Sequence, residues 1–397
     1  MLKGKTVVLG VSGSIAAYKI AYLASSLKKL NADVHVIMTK NATNFVSPIT
    51  FETLTVNKCL VDTFDRNFEF DVKHVSLAKR ADIFMVAPAT ANVIGKIANG
   101  IADDMLTTTI MATKAPKLIS PAMNTNMFEN PIVQDNLKKL ASFGYEIIEP
   151  ADGHLACGDN GKGKMPEPEL LLEHILKAIA FEKDLVGKKV LISAGPTEEA
   201  IDPVRYISNH STGKMGYALA RVAAYRGAEV TLVSGPTSLA VPLDVTCIQV
   251  TSAAQMADAI KSNCDNADII IKAAAVADFR PSKVSTSKIK KNETPSSTLE
   301  LERTEDILSY LGEHKQEGQF VCGFSMETEN LVENSMRKLE DKNVDMIVAN
   351  NLNVEGAGFA TDTNVVTLIT RHEIKEIPLL SKMDVASIIF DKIKTHL

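Results

Sequence analysis

The sequence lacks the cysteine pattern of a zinc-binding or disulfide-stabilised protein. Its five cysteines stand far apart, at positions 59, 157, 247, 264 and 322, and none forms a CxxC pair. Metal sites and disulfide frameworks are usually marked by closely spaced cysteines. We therefore expect free thiols in a reducing compartment.

Long apolar runs and long basic runs are absent too. No segment reaches the roughly 18 uninterrupted apolar residues of a membrane helix, and no apolar leader precedes the expected first strand near Lys5. The net charge is −5, and the longest basic cluster spans residues 288–291. We expect a cytoplasmic protein that binds neither membranes nor nucleic acid, since this cluster suits one polyphosphate better than a duplex.

Two common nucleotide-binding signatures are incomplete in this chain. An NAD-dependent dehydrogenase or sugar-nucleotide transferase should carry GxGxxG with an acidic residue about 20 positions later, and neither domain opening does. The segment Ser211 to Gly216 resembles a Walker motif, but Ser208 stands where the first glycine belongs and Met215 replaces the metal-binding Ser/Thr. The turn from Asn209 to Gly216 can still offer backbone N–H groups to a phosphate.

Length and the periodicity of apolar residues predict two α/β domains. A chain of 397 residues exceeds one ordinary domain. Residues 4–14 and 187–195 both begin with Gly-Lys, continue as an apolar run and break at small residues. Strands alternate with helical segments in both halves, which predicts right-handed crossovers and mainly parallel sheets. We expect two Rossmann-like, three-layer domains, 1–189 and 190–397.

The predicted strand ends of the first domain are small, polar and uncharged. Ligands of parallel sheets bind beyond the carboxyl ends of the strands, so this edge suits a polar, uncharged cofactor with one phosphate. Residues 153–165 contain four glycines, and we expect an irregular, mobile flap there. The strand ends are Ser12-Gly13-Ser14, Thr39, Pro88 to Asn92 and Pro121 to Asn124.

Four features of this domain each have a functional and a structural interpretation. The turn at Gly13 binds a phosphate or simply joins a strand to a helix. Asn124 binds a carboxylate without adding charge, or caps the following helix. His74 acts as a base, because histidine titrates near neutrality, or is an exposed residue at a helix start. Cys157 is the cysteine placed to be exposed and reactive, whereas the others sit in contexts typical of inert thiols.

The second domain offers a strand end with small residues followed by charged groups. Ala273 to Phe279 leaves a strand with room for a flat ring and then presents the Asp278 carboxylate. The lysines of residues 288–291 close over a polyphosphate or form a solvated charge run. Lys338 and Lys342 share a helical face at i, i+4 and supply further cations or form an exposed polar face.

The motifs PAMNTNM, ACGDNGKGKM, SNHSTGKMG, AAAVADF and KIKK follow one another along the chain. With this series the whole chain resembles the bifunctional bacterial phosphopantothenoylcysteine decarboxylase/phosphopantothenate–cysteine ligase family. The first domain is similar to the flavin-containing cysteine decarboxylases, whose PxMNxxMW motif corresponds to Pro121 to Phe128. Phe128 replaces the tryptophan, and this chain contains none. The family's PASANT segment corresponds to Pro88 to Val93, where Thr90 keeps the serine hydroxyl.

The resemblance implies an FMN-dependent decarboxylase in the first domain. FMN would oxidise the substrate thiol towards a thioaldehyde and CO₂ would leave; reduced FMN would then return the hydride while a protein acid supplies a proton. The resemblance assigns assistance in the oxidation to His74, carboxylate binding to Asn124 and protonation of the enethiol to Cys157. It places FMN against Gly13, Ser14, Thr39 and Thr90.

The resemblance implies a CTP-dependent ligase in the second domain. There 4′-phosphopantothenate attacks CTP to give an acyl-cytidylate and pyrophosphate, and cysteine then displaces CMP. Asn209 would contact the acyl-cytidylate and Lys288 the phosphates, with Mg²⁺ expected on the triphosphate. The implied CTP contacts are Ala273, Ala274, Ala275, Asp278, Lys288, Glu305, Asp306, Ile307, Leu308, Phe324, Lys338 and Lys342.

The resemblance also implies a homo-oligomer. The decarboxylase domains would form trimers, with FMN at the trimer interface, and the ligase domains dimers, which a dodecamer would combine. One alternative is a non-enzymatic regulatory flavoprotein, because relatives of the first domain can bind FMN without decarboxylating. Cys157 and the complete ligase half argue against that alternative.

Overall fold

The computed structural model divides the chain into two compact units, Met1–Glu182 and Lys183–Leu397. The division falls upstream of the boundary expected near residue 189. The structure describes residues 1–64, 73–154, 158, 160–290, 298–327, 330–351, 358 and 361–396. No helix among these residues is both long enough and apolar enough to cross a membrane.

The first unit alternates strands and helices along most of its length. Its strands are β1 (Thr6–Val11), β2 (Asp33–Met38), β3 (Ile83–Ala89), β4 (Lys117–Pro121), β5 (Glu146–Ile147), β6 (Ala151–His154) and β7 (Asn160–Lys164). Its helices are α1 (Ala17–Lys29), α2 (Pro48–Thr55), α3 (Lys73–Arg80), α4 (Ala91–Ala98), α5 (Met105–Ala112), α6 (Thr125–Glu129), α7 (Pro131–Ser142) and α8 (Pro168–Ile179), with a 3₁₀ turn at Ala42–Asn44.

Five of these strands form one parallel sheet in the order β2-β1-β3-β4-β5. The central strands β1 and β3 are buried along their whole length, as their continuous apolar sequences predict. Helices α3, α4, α5 and α7 share one apolar cluster with the sheet. Helices α1, α2 and α8 pack together, and α1 and α8 contact the strands from outside that cluster. The first unit is therefore a three-layer α/β structure.

The described residues of the glycine-rich segment 153–165 include parts of two strands, where its composition predicts an irregular flap. Strands β6 and β7 pair antiparallel, with a register shift between Ala151 and Asp152. The pairing uses backbone groups, so it needs no alternation of apolar side chains. Gly153, Gly161 and Gly163 adopt positive φ values of 147°, 152° and 133° within it, which other residues rarely adopt.

The second unit contains a larger sheet. Its strands are β8 (Lys189–Ala194), β9 (Glu199–Ala200), β10 (Tyr206–Ile207), β11 (Glu229–Ser234), β12 (Val245–Gln249), β13 (Ile269–Lys272), β14 (Phe279–Pro281), β15 (Leu301–Arg303), β16 (Phe320–Glu327), β17 (Met346–Asn351), β18 (Thr363–Thr370) and β19 (Ile374–Ser381). Its helices are α9 (Lys214–Tyr225), α10 (Ala253–Cys264), α11 (Ile307–Glu313), α12 (Leu331–Asp341) and α13 (Lys382–Lys394).

Eight strands of this unit pair in the order β12-β11-β8-β13-β16-β17-β18-β19. All pairs from β12 to β17 are parallel, and the hairpin β18–β19 adds an antiparallel edge. Helices α10, α11 and α12 share the apolar cluster on one face, while α9 and α13 pack together against the strands from outside it. The predicted α/β class with mainly parallel sheets is confirmed in both units.

Sequence reasoning missed several short strands. Strand β12 completes one edge of the large sheet, and the three-residue strands β14 and β15 pair with each other. The hairpin β18–β19 turns at Arg371-His372. Strands of two or three residues carry too little pattern to be distinguished from loops.

Candidate active sites

Parallel pairing in the first unit brings four polar strand ends to one edge of the sheet. Strands β2, β1, β3 and β4 lie side by side and run in the same direction. The segments that follow them carry Thr39, the turn from Ser12 to Ser14, Thr90 and Asn124. The structure therefore places at one edge of the sheet the strand-end groups that lie far apart in the sequence.

A buried hydroxyl joins two of these segments. Ser12 Oγ donates a hydrogen bond to the Pro88 carbonyl at 2.7 Å and accepts one from the Thr90 N–H at 3.0 Å. Gly13 approaches the loop after β2 so closely that a Cβ there would lie 2.6 Å from Cβ of Asn41. The edge is thus a closely packed cradle of small residues.

A cavity of about 420 Å³ opens beside this edge. It combines apolar walls with polar groups, as small-molecule sites usually do. Of the residues predicted to bind FMN or substrate, Ser14 and Asn124 line the cavity, whereas Gly13, Thr39 and Thr90 lie outside its lining. The lining is Ser14, Ile15, Ala16, Tyr18, Lys19, Ala122, Met123, Asn124, His154, Gly163, Lys164 and Met165.

Asn124 serves as a helix cap and faces the cavity at the same time. Its Oδ1 accepts a hydrogen bond from the Met127 N–H at 2.9 Å, which caps α6. The capping bond orients the amide group. Among the described residues no acceptor contacts its Nδ2 group. The capping and ligand-binding interpretations of this asparagine are therefore compatible, because each uses a different atom.

The β6–β7 hairpin holds the loop that carries Asn124. The Gly163 carbonyl accepts a hydrogen bond from the Met123 N–H at 3.1 Å. A Cβ on Gly163 would lie 2.3 Å from the Met123 carbonyl oxygen, closer than any real contact. Glycine is therefore required where this strand meets the loop.

The two other predicted site residues of the first unit are His74 and Cys157. His74 is half-buried in the first turn of α3, and it is not part of the cavity lining. The structure does not bring it together with Asn124. Cys157 lies outside the described residues, between β6 and β7.

The second unit has two adjoining cavities at the carboxyl edge of its parallel strands. One of about 410 Å³ lies against the residues from Arg303 to Leu308, and one of about 280 Å³ lies against the start of α9. They share four lining residues, Lys272, Val276, Asp278 and Lys338. We call the two together the ligase cleft.

Most of the predicted CTP contacts line this cleft. Asp278, Lys338 and Glu305 to Leu308 line the larger cavity, and Ala273 to Ala275 and Phe324 line the smaller one. Lys342 lies outside the lining. Its Nζ contacts the Asp306 carboxylate and donates to Ser309 Oγ at 2.9 Å.

Asn209 lies outside the lining of both cavities but is hydrogen-bonded to Ala275, which lines the smaller one. Its Nδ2 donates to the Ala275 carbonyl at 2.5 Å, and its Oδ1 accepts from the Ser211 N–H at 3.1 Å. The amide therefore joins the strand end after β13 to the turn before α9. Lys214 in that turn forms an ion pair with Asp362 at 2.7 Å.

Lys288 is exposed and lines neither cavity, but its loop is anchored. The Ile289 N–H donates to Asp202 Oδ2 at 3.1 Å, and Arg205 Nη2 donates to the Ile289 carbonyl at 3.0 Å. The Asp202 side chain is fully buried, and the guanidinium of Arg205 holds the pKa of its carboxyl well below the usual range. One carboxylate thus ties the lysine loop to the segment leading to Asn209.

The two halves of the chain match two protein families in this same order. The Flavoprotein family covers residues 1–180, and the family described as DNA/pantothenate metabolism flavoprotein C-terminal domain covers residues 185–397. The coenzyme A biosynthesis bifunctional protein CoaBC of Bacillus subtilis (strain 168) is 50% identical over 397 residues, which is 99% of this chain and 97% of that protein. This chain belongs to the coenzyme A biosynthesis bifunctional protein family.

Other members of the family are similar over nearly the same length. The CoaBC protein of Vibrio vulnificus (strain YJ016) is 43% identical over 395 residues, 99% of this chain and 98% of that protein. A crystal structure of the C-terminal domain of a CoaBC protein is 46% identical, covers 54% of this chain and 98% of its own, and has a TM-score of 0.47. The family resemblance inferred from the motifs is confirmed.

Two lysines that line the cavities, Lys19 and Lys272, were not among the site residues predicted from the sequence. Lys19 lies buried on α1, and its Nζ forms an ion pair with Glu167 at 2.7 Å beside the first cavity. Lys272 ends β13 and lines both parts of the ligase cleft. Burial, with a smaller contribution from the Lys338 ammonium, lowers the pKa of the Lys272 ammonium to about 8. Within the described ranges no group of three or more His, Cys, Asp or Glu side chains is placed to hold a metal ion.

Proposed function

We propose that the second unit ligates cysteine to 4′-phosphopantothenate with CTP, and that the first unit decarboxylates the product to 4′-phosphopantetheine with FMN. The observation that carries this proposal is the likeness to the Bacillus subtilis protein across both units. The division of the two activities, and the assignment of each to the units 1–182 and 183–397, belongs to the same proposal.

In the ligase unit the chemistry needs a bound nucleotide and a held acyl-cytidylate. The small side chains of Ala273 to Ala275 leave room for a flat base beside the cleft. Asn209 orients the activated acyl group, because its amide is already fixed between two loops. Lys288 approaches the phosphates from its anchored loop and stabilises charge as pyrophosphate departs. Mg²⁺ bound with the triphosphate would neutralise part of that charge.

In the decarboxylase unit the residues present fit FMN. The cradle at Gly13, the uncharged strand ends and the mixed cavity suit a flat ring, and the amino end of α1 suits one phosphate. Gly13, Ser14, Thr39 and Thr90 would hold the cofactor. Bound FMN would supply the transient oxidation of the substrate thiol that lets CO₂ leave.

The protein groups then act on the substrate itself. Asn124 Nδ2 binds the carboxylate without adding a positive charge, so the group can still leave as CO₂. His74 assists removal of hydrogen from the thiol-bearing carbon, and Cys157 returns a proton to the enethiol. The exposed apolar side chains of Ile15, Tyr18 and Tyr22 beside the cavity support self-association of this unit. We propose trimers of this unit and dimers of the ligase unit.

The experiment supplies purified protein with CTP, Mg²⁺, 4′-phosphopantothenate and cysteine, and measures CMP, CO₂ and 4′-phosphopantetheine. We expect stoichiometric CMP and CO₂ from a protein with a flavin absorption spectrum. Bound flavin without any product would support the regulatory alternative. A colourless protein that forms neither CMP nor CO₂ would overturn the proposal.

A further inference from the structure

Lys272 occupies an unusual position in the large sheet. It is the last residue of β13, whose other residues, Ile269 to Ile271, are buried isoleucines. Its neighbours across the sheet are Ser193 on β8 and Gly323 on β16. Both are small. A long cationic side chain therefore leaves the central strands at the point where the two cavities of the ligase cleft adjoin.

The charges around Lys272 do not neutralise it. The charged groups that influence its ammonium are Lys338 of α12, Lys342 directly after that helix, Asp306 before α11, and Asp278 after β13. Asp306 is already engaged by Lys342. In the part of the chain that the structure describes, no acceptor lies within hydrogen-bond distance of Lys272 Nζ. Two ammonium groups, those of Lys272 and Lys338, thus border the same space.

We propose that Lys272 binds an anionic oxygen of the nucleotide's polyphosphate at the junction of the two cavities. This inference rests on the proposed function of the second unit. Lys272 is half-buried, and a charge-assisted hydrogen bond gains strength where water is partly excluded. Two neighbouring ammonium groups suit a polyanion, which relieves their mutual repulsion.

The proposal has a consequence in proton linkage. Burial and Lys338 lower the pKa of Lys272 to about 8 in the free protein, so near pH 8 about half of the molecules carry this proton. A bound polyanion favours the charged form and raises the pKa. Binding at pH 8 must then take up as much as about half a proton per molecule at Lys272, and affinity must fall as the pH rises above 8.

Lys382 is a second lysine of the cleft, and its proton uptake has to be separated from that of Lys272. It also lines the smaller cavity, and burial followed by the Lys214 ammonium lowers its pKa to about 8. Its Nζ already donates to the Gly358 carbonyl at 3.0 Å. A Lys382→Arg variant removes any proton uptake at that position and leaves uptake at Lys272 unchanged.

The test is calorimetric titration of the full-length protein with CTP and Mg²⁺ at pH 8, in two buffers with different ionisation heats. Lys272→Met should bind CTP about 10- to 100-fold more weakly. Lys272→Arg should keep most of the affinity but lose the proton uptake, because arginine stays charged. Lys189→Met should behave like the wild type, since Lys189 is exposed at the opposite end of β8.

Pyrophosphate and cytidine serve as part-ligand probes in the same titrations. Pyrophosphate should show the dependence on Lys272, and cytidine should not. A Lys272→Met variant that binds CTP within twofold of the wild type, or proton uptake that persists when Lys272→Arg is combined with Lys382→Arg, would overturn this inference alone. Failure of the wild-type protein to bind CTP would overturn the proposed function and this inference with it. If Lys272→Met does not fold, the Lys272→Arg measurement still decides.

Discussion

Replacing Gly163 with alanine should damage the decarboxylase and spare the ligase. Gly163 has φ +133°, and an added Cβ would lie 2.3 Å from the Met123 carbonyl oxygen. The hairpin must move away from the Asn124 loop, which breaks the hydrogen bond from the Met123 N–H to the Gly163 carbonyl. The carboxylate-binding amide of Asn124 would then lose its support.

Gly153→Ala is the matched control in the same hairpin. Gly153 has φ +147°, but no atom of the described residues lies within 4 Å of its would-be Cβ. Each variant costs about 1–3 kcal/mol in backbone strain. Gly163→Ala also loses a hydrogen bond worth about 0.5–1.5 kcal/mol and must relieve the clash. We therefore expect it to be less stable than Gly153→Ala by at least about 1 kcal/mol.

The functional difference should exceed the difference in stability. A shift of about 1 Å in a substrate-positioning group can cost about 100-fold in rate. The assay compares CO₂ release and flavin content in both variants, with CMP formation as the internal control of the ligase unit. Equal CO₂ rates in Gly163→Ala and Gly153→Ala would refute the idea that the hairpin positions Asn124.

Three further predictions concern single side chains. Asn209→Asp cannot donate to the Ala275 carbonyl, so CMP formation should fall about 10- to 100-fold or the acyl-cytidylate should accumulate, and an unchanged rate would remove Asn209 from the site. Cys157→Ser should release CO₂ but accumulate the oxidised, unsaturated product, whereas normal 4′-phosphopantetheine output would exclude Cys157 as the proton donor. Asp184→Asn should lower the free energy of unfolding by about 1–2 kcal/mol at pH 7 after allowance for screening, because the hydrogen bond from Arg226 lowers the pKa of the Asp184 carboxyl to about 2. This stabilisation is present above pH about 4 and is lost as the pH falls through 2, so urea titrations showing a constant difference between pH 4 and pH 2 would contradict it.

The predictable parts of the fold are those whose side chains carry a pattern. Buried strands such as β1 and β8 are continuous apolar runs bounded by glycine, and their parallel order follows from the alternation with helices. The β6–β7 hairpin was not predictable, because glycine backbones form it and leave no periodic side-chain signal. The high glycine content correctly indicated an unusual backbone, but the described residues form paired strands and not the predicted irregular structure.

The candidate-site residues also divide into those that the sequence predicts and those that it does not. Strand-end residues such as Asn124 and Ala273 to Ala275 were identifiable because every parallel strand ends at the same edge. Lys272 was missed because a lysine after three isoleucines looks like the exposed end of a strand. Asp202 gave no signal either, since a short Asp-Pro-Val-Arg turn does not reveal which distant backbone N–H it will accept.

The ion pairs at the start of the second unit determine at which residue a stable expression fragment of that unit can begin. Asp184 accepts hydrogen bonds from Arg226 Nε and Nη2 at 2.8 and 2.6 Å, and from Lys394 at 2.8 Å. The Arg226 side chain is only 4% exposed. An expression fragment that begins at residue 190 would delete Asp184 and leave this guanidinium with one remaining carboxylate, that of Asp391. A fragment that begins at Lys183 keeps the cluster, so the seven residues from 183 to 189 separate a sound truncation from a weakened one.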